Sequence, residues 1–161
     1  GSSLLTMTFA QISFDSPIGW ITIQSEAEKI ISLTMSHKDS NLGSAKVLTE
    51  AKKQVLAYLA GKLTKFDLPV QLEGTEFQKS VWKVIAKTGF GKTITYGEIA
   101  AKIGNPQASR AIGGAVGSNP VPLIIGCHRV LGSNKKITGY SGGDGIPTKE
   151  WLLELEDIEY K

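Results

Sequence analysis

The chain holds a single cysteine, Cys127, and a histidine follows it directly in the run Ile125-Gly126-Cys127-His128-Arg129-Val130. A thiol is a good nucleophile only as its thiolate, and a neighbouring base or positive field favours that form. The pair therefore reads as a nucleophile with its base, provided the fold brings the two side chains together. Taken alone, a free cysteine is most often a small buried hydrophobe. One cysteine cannot close an internal disulfide, which suits a reducing compartment. With two histidines, His37 and His128, beside that one cysteine, a cysteine-rich structural zinc site is excluded and no metal is expected.

Two helical stretches stand upstream of the cysteine. Thr95-Tyr96-Gly97-Glu98 has the form of a capping box and predicts a short helix from Tyr96 to Ile103. Gly104 turns the chain. Asn105 is placed to cap a second helix, with Pro106 at its first position, running to about Gly117. Together they read as a helix-turn-helix. On the second helix Ala108, Ala111, Ile112 and Ala115 share one side, at about 100° per residue. Arg110 points the opposite way, flanked by Gly113, Gly114 and Gly117. Each mid-helix glycine costs about 1 kcal/mol relative to alanine. Either these glycines admit a DNA strand over which Arg110 protrudes, or they allow tight packing of another helix. A nucleophile beside a DNA-reading element points to a substrate in DNA.

The remaining elements frame this region. Residues 8–35 predict three strands: Thr8 to Phe14, with alternation broken at Ala10, then Trp20 to Gln24, then Ile30 to Met35. Ser16-Pro17-Ile18-Gly19 is turn chemistry. A helix with Leu48, Ala51, Val55 and Leu59 on one stripe stops at Gly61. Thr75-Glu76-Phe77-Gln78 is a further capping box, opening a helix with the stripe Phe77, Val81, Val84 and Ile85. Asn119-Pro120-Val121-Pro122 breaks the helix before the cysteine, and Thr138 to Gly143 forms a glycine-rich loop. Pro147 leads into a terminal helix with Trp151, Leu152 and Leu155 on its apolar side. The expected architecture is α/β, with a small α/β domain over 7–70 and a mostly helical, winged helix-turn-helix-like domain over 71–161. Gly1 to Thr6, before Met7, reads as a tag remnant outside the fold.

Composition narrows the class. The chain has 161 residues, 41% hydrophobic and 20% charged, as a globular protein does. No apolar run approaches the roughly 18 residues of a membrane span, and no signal peptide is visible. A cytoplasmic, nucleoid-associated protein is expected. The net charge of +3 hides an asymmetry. Residues 77–149 carry ten basic and two acidic groups, whereas 1–76 carry seven and eight, and 150–161 carry one and five. The middle block has the footprint of a polyanion binder.

Six spaced motifs then occur in order: Tyr96-Gly97-Glu98-Ile99-Ala100, Pro106-Gln107-Ala108-Ser109-Arg110-Ala111, Asn119-Pro120, Cys127-His128-Arg129-Val130, Tyr140-Ser141-Gly142-Gly143 and Lys149-Glu150-Trp151-Leu152-Leu153. Over about residues 75–155 this resembles the methylated-DNA–protein-cysteine methyltransferases, the O6-alkylguanine-DNA alkyltransferases. The N-terminal part fits that family's small ribonuclease-H-like domain in outline.

The resemblance implies direct reversal of DNA damage without a cofactor. Cys127 would attack the alkyl carbon on O6 of guanine in double-stranded DNA, once per molecule, with O4-alkylthymine a further candidate substrate. His128 would take the thiol proton through a water, and Glu150 would orient and polarise that histidine. The target nucleotide must be flipped from the duplex. Arg110 would fill the gap it leaves, and Tyr96 would help rotate it and protonate the departing guanine at N3. Ser109, Gly113 and Gly114 would meet DNA along the minor groove. Tyr140 and Ser141 would close over the base, and the carbonyls of Cys127 and Val130 would accept from the guanine amino group. Asn119 would hinge the recognition helix to the reactive loop. A monomer with no obligate protein partner is implied.

One position departs from the family pattern, which usually has proline before the cysteine; here it is Gly126. Glycine should loosen the loop and slow transfer. Rival readings are a winged-helix regulator without chemistry, a cysteine hydrolase, and a lesion binder that has lost transfer through Gly126. The regulator leaves Cys127-His128 without a purpose, and the hydrolase needs no basic surface.

Overall fold

The computed structural model describes residues 9–105, 107–140 and 143–161, with Ser109 by its backbone alone. The chain divides into two compact units, Gly1–Glu73 and Gly74–Lys161.

In the first unit, β1 (Phe9–Phe14), β2 (Trp20–Glu26) and β3 (Lys29–Ser36) form an antiparallel meander in the order β1-β2-β3. Ile21 and Ile23 of β2 and Ile30 and Leu33 of β3 are buried, as are Leu48, Ala51 and Val55 of α1 (Lys46–Leu59). Gly61, at φ +77°, ends α1. Its N–H reaches Tyr58 O at 3.0 Å, and Lys62 N reaches Ala57 O at 2.8 Å, the paired bonds of a Schellman cap. The β2–β3 hairpin turns on Ala27 and Glu28, at φ 52° and 60°. The strands run longer than expected, up to a two-residue turn whose residues carry no usual positive-φ signal.

The second unit carries α2 (Glu76–Ala86), α3 (Tyr96–Lys102), α4 (Ser109–Gly117) and α5 (Ile146–Leu155). Both capping boxes form: Thr75 accepts from Gln78 N at 3.0 Å and Thr95 from Glu98 N at 3.1 Å. Trp82 of α2 is buried and its Nε1 donates to Ala115 O at 2.8 Å, which ties α2 to α4. A two-residue parallel pair, β4 (Ile94–Thr95) with β5 (Val130–Leu131), joins the start of α3 to the segment after the cysteine.

Two expectations are corrected. The second helix of the helix-turn-helix begins at Ser109, not near Pro106, and its cap position is Ala108 without a side-chain bond. Asn105 instead closes a turn, its carbonyl accepting from Ala108 N at 3.1 Å; Pro106 lies outside the described residues. In α5 the buried residues are Thr148, Lys149, Leu152 and Leu153, while Trp151 and Leu155 are half-buried. The inward face is set one residue away from the predicted stripe, because it follows the spacing 149, 152, 153 and 156.

Candidate active site

Cys127 opens a short 3-10 turn, Cys127–Arg129, that is buried throughout. The turn is held from both sides. Asn119 Nδ2 donates to Ile125 O at 2.9 Å, and Asn119 Oδ1 accepts from Val121 N at 3.0 Å. Cys127 N reaches Ile125 O at 2.7 Å across Gly126, which sits at φ −72° and ψ 64°, an inverse γ-turn. The Asn119 amide thus staples the end of α4 to the approach to Cys127.

Gly126 does not use the left-handed angles that glycine alone adopts freely. Its φ is one that proline would also hold. A side chain at this position would press on Arg129: a Cβ there would lie 2.9 Å from Arg129 Nη1 and 3.1 Å from its Cζ. Arg129 passes over Gly126 to reach Thr88 O, at 2.7 Å from Nη1. Space for a guanidinium explains this glycine.

Behind the cysteine, His128 is fully buried and its Nε2 lies 2.5 Å from Glu156 Oε2. Glu156 also accepts from Arg129 Nε at 2.8 Å, Arg129 Nη2 at 3.0 Å and Gly91 N at 2.9 Å. A carboxylate so surrounded is ionised and can only accept, so His128 Nε2 carries a hydrogen and the basic nitrogen of the neutral ring is Nδ1. Burial pushes the His128 pKa below its usual 6.5, against the pull of Glu156, so the ring rests neutral at physiological pH.

The histidine's partner is therefore Glu156, not Glu150. Glu150 accepts a 3.3 Å bond from Tyr160 Oη on another side of α5. The reason is the helical period. Lys149, Leu152, Leu153 and Glu156 share the inward face, and Glu150 is turned about 100° from it. A sequence signal existed: Glu156 continues the 149, 152, 153 spacing, a charged residue in line with an apolar stripe.

Burial pushes the Cys127 thiol above its ordinary value of 9.0, while hydrogen bonds from Asn119 and Tyr140 and the Lys149 charge pull the other way. At rest it is a thiol. It lies on a cavity of about 360 Å3 lined also by Tyr96, Gly113, Val116, Gly117, Gly139 and Tyr140. That size falls among the roughly 300–1,000 Å3 of small-ligand sites. The β4–β5 pair delivers Tyr96 to this cavity, and Tyr96 Oη lies 2.9 Å from Thr138 Oγ1.

Arg110 is exposed on α4. No described atom comes within 4 Å of a Cβ built on Gly113, Gly114 or Gly117, apart from their own helix. The alternative of glycines for tight helix packing is thereby removed; the face is bare. Ser109 opens α4. The carbonyls expected to read the base already hold one partner each: Val130 O accepts from Lys149 Nζ at 2.7 Å, and Cys127 O from Val130 N. Each keeps a second lone pair. Ser141 lies outside the described residues. Sequence reasoning missed Lys149 as well as Glu156: it is 1% exposed and faces the cysteine turn.

Residues 76–158 match the family described as 6-O-methylguanine DNA methyltransferase, DNA binding domain, and residues 10–72 its ribonuclease-like domain. A methylated-DNA–protein-cysteine methyltransferase of Methanosarcina acetivorans is 46% identical over 150 residues, covering 89% of this chain and 95% of the relative. One of Mycobacterium tuberculosis is 42% identical over 153 residues, covering 89% and 90%. The crystal structure of the Mycobacterium tuberculosis O6-methylguanine methyltransferase superposes with a TM-score of 0.82 at 41% identity, over 92% of each chain. The OGT protein of that organism, solved in complex with DNA, gives 0.82 and 41% over 91% and 92%.

Proposed function

The chain belongs to the 6-O-methylguanine DNA methyltransferase family, and from that premise we propose that it repairs double-stranded DNA by moving the alkyl group of O6-alkylguanine onto its own Cys127. The observation that carries this reading is the buried thiol on a cavity walled by the bare glycine face of α4, with a neutral histidine and an ionised carboxylate packed behind it.

The basic block holds the phosphates, and the glycine face lets the backbone approach in the minor groove. Arg110 enters the stack as the target nucleotide leaves it, a displacement that costs about a few kcal/mol. In the cavity, His128 takes the Cys127 proton through a bridging water as sulfur attacks the alkyl carbon. Glu156 stabilises the imidazolium that forms. Tyr96 donates to guanine N3, which spares the leaving group a full negative charge. Tyr140 and Ser141 cover the base. The product is a thioether, so each molecule acts once. No cofactor enters, because the thiolate is the acceptor and guanine the leaving group. No helix among the described residues is long and apolar enough to cross a membrane; the protein works as a cytoplasmic monomer whose partner is alkylated DNA.

The test is intact-mass measurement after incubation with a duplex carrying one O6-methylguanine. We expect one methylene mass per chain, mapped to Cys127, and no second addition. An unchanged mass would overturn the reading.

A further inference from the structure

Lys149 is a buried cation with no assigned work. It is 1% exposed, and among the described residues it forms no ion pair with a carboxylate. Its Nζ donates to Val130 O at 2.7 Å and to Thr138 Oγ1 at 3.2 Å. Burying an ammonium this way is costly unless something requires it.

The bonds at Thr138 have a direction. An ammonium only donates, so Lys149 occupies a lone pair of the Thr138 hydroxyl. That hydroxyl's own hydrogen is then free to point at Tyr96 Oη, 2.9 Å away. Tyr96 in turn keeps its phenolic hydrogen for the cavity that it lines with Cys127. The three groups form a donor chain from α5 through residue 138 to the start of α3, ending where a guanine would sit.

We propose that Lys149, through the Thr138 hydroxyl, replaces the proton that Tyr96 gives to the departing guanine. This rests on Cys127 as alkyl acceptor and Tyr96 as donor to N3. As sulfur bonds to the alkyl carbon, the carbon–O6 bond breaks and its electron pair passes into the guanine ring. N3 takes the Tyr96 proton, Tyr96 oxygen takes the Thr138 proton, and Thr138 oxygen takes one from Lys149, leaving a neutral amine. The thiol proton has gone separately to His128.

Charge matching favours this route. Lys149 interacts electrostatically with Cys127. Once His128 has taken the thiol proton the ammonium faces a thiolate; after transfer the sulfur is a neutral thioether, and a retained ammonium would again be buried without a counter-charge. Discharging it through Thr138 removes both charges together. Burial lowers the Lys149 pKa to about 8, against the pull of Cys127, which makes it a ready donor near neutral pH. The titratable groups facing it are Cys127 and His128 on the reactive turn and, through Thr138, Tyr96.

The experiment compares single-turnover alkylation of Cys127 in the full chain by O6-methylguanine duplex and by iodomethane, whose iodide leaves without a proton. Wild type, Thr138→Val, Thr138→Ser and Lys149→Met are measured across pH. For the duplex we expect Thr138→Val and Lys149→Met to be slower by about tenfold to a hundredfold. With Thr138→Val, which leaves the Lys149 charge beside Cys127, iodomethane should be slowed far less, and Thr138→Ser should recover most of the duplex rate. The decline of the wild-type duplex rate above about pH 8 should vanish in Thr138→Val. Equal slowing with both reagents, or an unchanged rate and pH profile in Thr138→Val, would overturn the relay while leaving the function intact. Failure of wild type to alkylate Cys127 from the duplex would sink the functional reading itself.

Discussion

His128 Nε2 lies 2.5 Å from Glu156 Oε2, and neither side chain is exposed to solvent. The contact joins a residue on the reactive turn to one just past the end of α5. In the proposed reaction it fixes the ring from Nε2 and stabilises the charge that forms when Nδ1 takes a proton. Replacing Glu156 by Gln removes the charge that stabilises an imidazolium and places an amide N–H against Arg129 or His128. We expect alkyl transfer to slow by roughly 10²–10⁴-fold, with a loss of about 3–5 kcal/mol of stability. Glu150→Gln should leave both within about 0.5 kcal/mol of wild type. Single-turnover rates and chemical denaturation of the two variants decide between these carboxylates.

The same pair sets an acid limb. The folded His128 pKa lies below its unfolded value of 6.5, so below that pH the unfolded chain takes up a proton the folded chain refuses. Stability is then fully present above pH 6.5 and is lost as pH falls toward and through the folded pKa. Denaturation midpoints measured from pH 7.5 down to pH 5 should fall, and His128→Asn should flatten that fall.

Gly126 makes a prediction about space. A methyl group there meets a guanidinium held by Thr88 O and by both oxygens of Glu156. We expect Gly126→Ala to cost about 1–3 kcal/mol, as overpacking does, and to slow transfer by disturbing Glu156. Thermal unfolding of Gly126→Ala checks it; an unchanged midpoint would mean that Arg129 yields freely.

The glycine face of α4 separates stability from function. No described atom outside α4 would touch a Cβ at Gly113 or Gly114, so alanine at both should stabilise the fold by about 1 kcal/mol or more. It should also weaken binding to duplex DNA if the backbone approaches over this face, as proposed above. Unfolding midpoints and DNA titrations at fixed salt should move in opposite directions.

What could be read in advance was local. Thr75 with Gln78 and Thr95 with Glu98 lie three residues apart, and each box forms as its spacing dictates. That Arg110 stands exposed on α4 was equally local, following from the helical period alone. What escaped depended on packing across the unit. Glu156 meets His128 from 28 residues away, and only the face that α5 turns inward decides whether it or Glu150 arrives. Lys149 reads as a surface cation until the same face is known. Ala27 and Glu28 gave no sign of a hairpin, since neither residue announces positive φ. Asn105-Pro106 carried a genuine capping signal that the turn before α4 overrode.

The β4–β5 ladder has a consequence for how such proteins can diverge. Two residue pairs, Ile94 with Val130 and Thr95 with Leu131, close a loop that contains α3, α4, Asn119 and Cys127. The entropy of closing a loop grows only logarithmically with its length. Inserted or deleted residues around Gly104 or Pro122 should therefore be tolerated, provided the clasp and the Asn119 staple remain. A change at Ile94 or Val130, each buried, should loosen the Cys127 turn and α4 together. Lineages should vary the length of the loop and leave its clasp alone.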